Sequence, residues 1–461
     1  LLYVQYMKPN ILFLLIDTFR ADKFSGKGKT SKTPNLDSLI TNGAYFDQAI
    51  SCGDGTILYW SGLFTGLHPF KTGIKSQGYK KIDSNIKSYF SILENEEYNF
   101  YSYVPSLTNS LGMFPKWKNN DYSFDSYWNL SEGFGEKIID LLESIKSDKP
   151  WFCYIHIEDL HFPITISKEF DNEKFGKSKY ERKISAMDIW LGKILEKIDL
   201  TNTLVVITAD HGAYVPITDD ENSNINLEVN GELQTFVRNL GNLTPKPLEP
   251  LKSKLFLSLE KIRKKRKYEK IKDIELTPYE KRGLLWQRSD VELFLYDELV
   301  HVPLLFVGYN VKNNIKISQQ VSIIDIFPTI FDIAGIKNTN PETDGQTLIP
   351  LINGQKISEK PAYMETHYTI SLKSQDKIGL RTSEFKYFRD RDNAKKLIHL
   401  YNLKNDPFEN NNIAMDNPDI IKTMEEQLQK ILKNTASIPD DEFNEEETKI
   451  IEDELKRLGY V

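Results

Sequence analysis

Two apolar runs, each stopped by an acid, constrain this chain more than any other feature. Ile11-Leu-Phe-Leu-Leu-Ile16 ends at Asp17-Thr18, and Thr203-Leu-Val-Val-Ile-Thr208 ends at Ala209-Asp210-His211-Gly212. A strand without polar alternation is buried on both faces, as a central strand is in a parallel sheet covered by helices. Trp151-Phe-Cys-Tyr-Ile155 and Val302-Pro-Leu-Leu-Phe306 read as two more such strands. Helix-length segments at 34–42 and 179–198 lie between them, so the expected class is α/β, a mostly parallel sheet sandwiched by helices. Ligands of such sheets sit beyond the carboxyl ends of the strands. Asp17, Asp210 and His211 fall there.

The remaining chain divides by composition. Residues 7–338 read as the catalytic α/β domain, interrupted at 213–290 by an insertion. Residues 339–415 read as a small C-terminal α+β subdomain with strand-like pieces at 377–381 and 385–388, and 416–461 as an acidic helical tail. The insertion carries Lys252, Lys254, Lys261, Arg263, Lys264, Lys265, Arg266, Lys267, Lys270 and Lys272 against Glu260 and Glu269. Such a run is a solvated helix face or an oligomer arm, or else a docking surface for an anionic substrate or membrane. Overall, 59 Lys+Arg against 66 Asp+Glu give a net charge of −7, which argues against dedicated nucleic-acid binding. At 40% hydrophobic over 461 residues the chain fills a large core and is neither disordered nor a stapled miniprotein. Cys52 and Cys153 form no disulfide framework and no metal knuckle, so a reduced, cytoplasmic protein is expected. No apolar run approaches the roughly 18 residues of a membrane span, so no transmembrane anchor is expected. The leader 1–6 lacks a basic n-region and a cleavage site, and Met7 reads as the natural start.

The segment Ser51-Cys-Gly-Asp-Gly-Thr56, followed by an apolar run to Thr65-Gly66, carries the chemistry. Gly53 and Gly55 permit a sharp turn, which puts Thr56 at a helix N-terminus. Exposed N–H groups and the positive dipole end stabilise negative charge there. A hydroxyl so placed serves as a nucleophile when a divalent cation also binds it, or simply as an N-cap. Asp54 beside it adds a ligand or shapes the turn. Asp17, Thr56, Asp210 and His211 together offer three oxygens and one nitrogen, a set suited to one Mn²⁺ or Zn²⁺. Ca²⁺ and Mg²⁺ stay open, although hard cations favour more oxygen. His68, His367 and His399 join no second cluster, with Glu365-Thr366-His367 the weak exception. His156, inside a strand, reads as packing.

These residues resemble a known family. Asn10-Ile-Leu-Phe-Leu-Leu-Ile-Asp-Thr-Phe-Arg-Ala-Asp22 is similar to the opening strand of the sulfatase family, within the alkaline phosphatase superfamily. Thr33-Pro-Asn-Leu-Asp-Ser-Leu39, Gly43-Ala-Tyr-Phe46, and Thr65-Gly66 with Pro69 and Gly73 follow in the family's order. So do His161-Phe-Pro163, Leu295-Tyr-Asp-Glu298 leading to His301-Val-Pro-Leu304, and Asp325-Ile-Phe-Pro-Thr329. Ala334-Gly335, Asp344-Gly345, Leu400-Tyr-Asn-Leu-Lys-Asn-Asp-Pro407 and the ending Leu455 to Val461 complete it. The family's C/S-x-P-x-R motif is absent: its positions hold Thr56, Leu58 and Trp60. Threonine does not become formylglycine, and Cys52, four residues early, is no substitute. Ser-Cys-Gly-x-x-Thr is instead similar to phosphoethanolamine and phosphoglycerol transferases, in which a threonine attacks phosphorus.

The resemblance implies a metal-dependent hydrolase or transferase that cleaves phosphate-type esters through a covalent Thr56 intermediate. Asp17, Asp210 and His211 are its metal ligands, without formylglycine, and the substrate is a small or glycan-linked anionic ester. His161 and His301 are expected to protonate the leaving group or hold anionic oxygens, unless they only satisfy backbone carbonyls. Arg20 is expected to offset substrate charge in place of the arginine missing at Trp60. Two alternatives remain: a sulfuric ester hydrolase using an unmodified hydroxyl, and a degenerate member that binds an anion or glycan without turnover. Trp60, and Ala213 where the family often has glutamate, keep the latter open.

Overall fold

A computed structural model describes residues 8–433 except 75–81, 84, 107, 109–111, 125–128, 163, 216–264, 286–293, 340–341 and 367–375. Its main sheet contains β1 (Asn10–Ile16), β2 (Gly43–Ile50), β3 (Asn99–Pro105), β4 (Ser123–Phe124) and β5 (Trp151–Ile157). It continues with β6 (Thr203–Thr208), β7 (His301–Gly308), β8 (Ile315–Ile317) and β9 (Val321–Ser322). The order is β4-β3-β5-β1-β6-β7-β2-β8, with β9 beside β2. β1 lies at the centre, parallel to β5 and β6, and Ile11 to Ile16 are wholly buried. The unbroken apolar run therefore means what it implied: helices flank the sheet and no strand face at its centre meets water.

β7 differs from expectation. It runs antiparallel to both β6 and β2, because the short helix Asp297–Val300 delivers it from the carboxyl edge of its neighbours. The reversal places its first residue, His301, at the same edge as Asp17 and Asp210. The Thr56–Thr65 and Ile326–Ala334 helices pack together on the sheet through aromatic contacts. Phe64 meets Phe327 at 5.7 Å, and Phe327 stacks on Phe13 at 6.3 Å. The Pro34–Thr41 helix is tied to Lys179–Leu195 by Asp188, whose carboxylate accepts from Leu36 N at 2.8 Å and Asn35 N at 3.1 Å.

A second, antiparallel sheet follows in the order β10 (Ala362–Glu365), β11 (Lys377–Arg381), β12 (Phe385–Asp390), β13 (His399–Asn402). The amphipathic helix Pro418–Lys433 covers it, burying Met424 and Leu428 with Tyr363, Leu380, Tyr387 and Leu400. Residues 434–461 of the expected tail lie outside the described residues, as does most of the insertion, including Lys252 to Lys264. The described helix Pro278–Leu285 of the insertion docks inward: Arg282 pairs with Glu298 at 2.9 Å and donates to Glu409 O at 3.0 Å. That portion packs against its own chain, and nothing supports its reading as an oligomer arm.

Candidate active site

β1 and β6 pair in parallel with Leu15 opposite Thr208, so the residues that follow them emerge side by side. Asp17, Asp210 and His211 are 4%, 0% and 5% exposed, and one ligand atom from each lies within 4.8 Å of the others. Among the described residues this is the one such group. Thr56 Oγ1 donates to Asp210 Oδ2 at 2.5 Å, while Asp210 Oδ1 accepts from His211 N at 2.8 Å and Thr18 N at 3.2 Å. His211 Nδ1 lies 2.8 Å from Gly212 O and donates to it, which aims Nε2 at the carboxylates. That nitrogen is 3.5 Å from Asp210 Oδ2 and 3.8 Å from Asp17 Oδ1. Asp17 Oδ1 itself is buried and accepts no hydrogen bond among the described residues.

The buried charges act on one another. Burial, then repulsion from Asp210, pushes the Asp17 carboxyl well above its usual range, against the pull of His211. Burial opposes charging His211, but Asp210 and Asp17 outweigh it and raise the imidazole. An orphaned carboxylate oxygen, a second carboxylate, an aimed imidazole nitrogen and a hydroxyl fit a divalent cation. The backbone is strained at this point: Thr18, a β-branched residue, has φ of 58°. Such a conformation costs about 1–3 kcal/mol and persists where neighbours over-determine it. Here Tyr180 Oη donates to Thr18 O at 2.6 Å, and Asp210 accepts from Thr18 N.

Thr56 is the first residue of its ten-residue helix, behind an extended Gly55. The glycine requirement is tertiary at Gly53: a Cβ there would lie 2.2 Å from Glu365 O and 2.7 Å from Leu58 Cδ1. Gly53 and Glu365 form an isolated bridge, and Glu365 N donates to Cys52 O at 2.9 Å, so the second sheet braces the Thr56 loop. Cys52 is wholly buried against Gly62 of the helix, in the core. Asp54 is buried beside Thr56, and its charge adds to those that raise His211. Trp60 brings no charge; its Nε1 donates to Tyr154 Oη at 2.9 Å.

The remaining expected residues divide. His161 is half-buried in the turn after β5, with Nδ1 3.0 Å from Phe162 O; Pro163 of its motif lies outside the described residues. His301 Nε2 is 2.7 Å from Asp47 O, and Nδ1 is 3.8 Å from Asp297, which also pairs with Arg381 at 2.8 Å. Burial lowers the His301 pKa more than Asp297 restores it. Arg20, expected to offset substrate charge, is paired within the chain. Asp22 holds its guanidinium by two bonds of 2.8 Å, and Tyr279 Oη accepts from it at 2.7 Å, so its charge is matched within the chain. His156 packs as expected, edge-on to Trp60, and in addition its Nε2 reaches Asp17 Oδ2 at 3.1 Å. A lone histidine in an otherwise apolar strand was the signal. His68, stacked on Phe70 and lowered by burial to about 4, and His399, stacked on Phe388, are structural; His367 lies outside the described residues.

Known proteins share this frame. The sulfatase family profile matches residues 9–336, and a profile described as the N-sulphoglucosamine sulphohydrolase C-terminal region matches 290–435. Arylsulfatase K of Mus musculus is 23% identical over 95% of this chain and 82% of its own. Its Bos taurus counterpart is 24% identical over 95% and 84%. Among solved structures, the phosphonate monoester hydrolase of Agrobacterium radiobacter superposes with a TM-score of 0.62 at 15% identity, covering 92% of this chain and 96% of that one. A 2-O GAG sulfatase gives 0.62 at 17%, covering 92% of each. These relatives overturn the cytoplasmic expectation, since arylsulfatase K is not a cytoplasmic enzyme. The premise was weak physically too: Cys52 and Cys153 are thiols sealed in the core, where burial rather than compartment governs their state. No described helix is long and apolar enough to cross a membrane. With a sulfatase-type profile over most of its length and an acid at the end of each central strand, this chain belongs to the sulfatase family of ester hydrolases.

Proposed function

We propose that the chain cleaves phosphate-type esters of small or glycan-linked anionic substrates, using Thr56 as covalent nucleophile at a single divalent-cation site. The observation that carries this is the Thr56 hydroxyl, 2.5 Å from Asp210 Oδ2 within the Asp17–Asp210–His211 cluster and at a helix N-terminus. Asp17, Asp210, His211 and Thr56 would hold the ion, with Mn²⁺ or Zn²⁺ favoured by the mixed donor set. When bound, such an ion lowers the pKa of a neighbouring hydroxyl and polarises the ester.

The chain's own residues do the rest. Asp210 Oδ2 orients the Thr56 hydroxyl, takes its proton as the oxygen attacks and returns it when Thr56 is released, and the helix N-terminus favours the negative charge that develops. The Thr56 oxygen bonds to phosphorus as the ester P–O bond breaks. His161, with Nδ1–H on the Phe162 carbonyl, gives the leaving alcohol a proton from Nε2, then takes one from the water that releases phosphate from Thr56. A second alcohol in place of water makes the same chemistry a transfer. Both nitrogens of His301 face protein groups, so leaving-group protonation falls to His161 and His301 steadies the β7 entry.

The solved neighbours include a phosphonate monoester hydrolase and a GAG sulfatase, so the frame is found with both ester types. A sulfatase working with an unmodified hydroxyl has no support in these relatives. One observation favours binding without turnover: Trp60 supplies no charge where the family places arginine, and Arg20 is matched by Asp22. A panel of nitrophenyl phosphomonoester, phosphodiester, phosphonate and sulfate, with and without chelator, separates the readings. Chelator-sensitive turnover of phosphorus esters is expected. Turnover of sulfate alone contradicts the proposal, and anion binding with no turnover supports the binding reading.

A further inference from the structure

We infer that His156 is a positioning residue that divides the Asp17 carboxylate between two tasks. β5 and β1 pair in parallel with His156 opposite Leu15, and side chains two apart on a strand share a face, so the ring stands beside Asp17. It is wholly buried, and its Nε2 lies 3.1 Å from Asp17 Oδ2. His156 Nδ1 is buried without a hydrogen-bond partner among the described residues. A proton on Nδ1 would leave a buried donor unmet and set two lone pairs face to face at Asp17. The partners therefore assign the Nε2–H tautomer, which donates to Oδ2. Oδ1 is left bare and turned toward His211 Nε2.

The ring is itself held. Trp60 meets it edge-on at 5.6 Å and 69°, and Tyr154 fixes the indole. Trp60 stands four residues after Thr56 on the same helix, so one rigid element carries the nucleophile and braces the group that aims Asp17. Tryptophan at this position thus has a task that an arginine would not perform.

This inference rests on the cation reading of the site, and the test keeps the two apart. Mn²⁺ and Zn²⁺ binding to the full chain is measured by titration calorimetry for wild type, His156→Phe and His156→Gln. Absence of binding by wild type defeats the cation reading itself. Given wild-type binding, His156→Phe should bind roughly 10–100-fold more weakly, the usual effect of losing an outer partner of a ligand. His156→Gln, whose amide N–H reaches the place of Nε2, should recover most of that loss. Wild-type affinity in the Phe variant overturns the inference, and so does equal loss in the Gln and Phe variants. Circular dichroism in chelator checks folding. If the Phe variant does not fold, His156→Asn, too short to reach Asp17, replaces it in the same comparison.

Discussion

Replacing Gly53 with alanine tests whether the second sheet sets the position of Thr56. The new Cβ would lie 2.2 Å from Glu365 O and 2.7 Å from Leu58 Cδ1, whereas ordinary contacts begin at 3.4 Å. The carbonyl cannot step aside: Glu365 pairs with Ile378 in β11, and its N–H is bonded to Cys52 O at 2.9 Å. Relief of about 1 Å must therefore come from the loop that carries Thr56. Overpacking of this kind costs about 1–3 kcal/mol of stability. A 1 Å displacement of a reacting group costs on the order of 10²-fold in rate. Asp17, Asp210 and His211 arise from β1 and β6 and keep their places, so cation affinity, which loses only the Thr56 oxygen, should fall less than kcat. Gly28→Ala, with nothing within 4 Å and an ordinary φ, is the control. Urea unfolding, kcat on a nitrophenyl phosphodiester and Mn²⁺ titration give the three numbers. Wild-type kcat in Gly53→Ala, or weakened Mn²⁺ binding with kcat intact, would show that the second sheet does not set the position of Thr56.

Other expectations follow from the same geometry. Thr56→Ala should fold at a cost of about 1 kcal/mol, because Asp210 keeps its bonds from Thr18 N and His211 N. Its turnover should fall by at least roughly 10³-fold, while Thr56→Ser keeps measurable activity; wild-type rates in the alanine variant would remove Thr56 as nucleophile. Asp325 gives a pH-dependent stability. Burial raises its carboxyl from 3.8 to about 6, although Ser322 N and Gln346 N donate to it. The folded state thus holds a proton that the unfolded chain releases between pH 4 and 6. This contribution is present below about pH 4 and fades as pH rises through about 6, by about 3 kcal/mol in all. Urea unfolding at intervals from pH 4 to 7 should show that slope in wild type and not in Asp325→Asn; parallel curves would contradict it.

Much of the site was legible because its chemistry sits where strands end. Asp17, Asp210 and His211 each follow an apolar run, and parallel pairing brings such ends together. Thr56 was legible from two glycines followed by an apolar helix, although the reason for Gly53 is a contact with a strand more than 300 residues away, which no local pattern records. His156 was hidden because burial in an apolar strand looks like packing until the neighbouring strand's register is known. Arg20 is the opposite case: its partner, Asp22, stands only two residues on, so the ion pair lies within one stretch of sequence. The direction of β7 depends on where its connection enters, not on its own composition. β10 and β13, four residues each, are too short for alternation to show.

Catalysis through Thr56 requires its oxygen to become covalently bonded to the phosphorus of the ester as the alcohol departs. Rapid quenching of the Mn²⁺-loaded enzyme during turnover of a phosphorus ester, followed by intact-mass measurement and peptide mapping, addresses it directly. One phosphoryl adduct on Thr56, absent from Thr56→Ala, is expected. Steady turnover with no adduct at any quench time, or an adduct mapped to another residue, would contradict it.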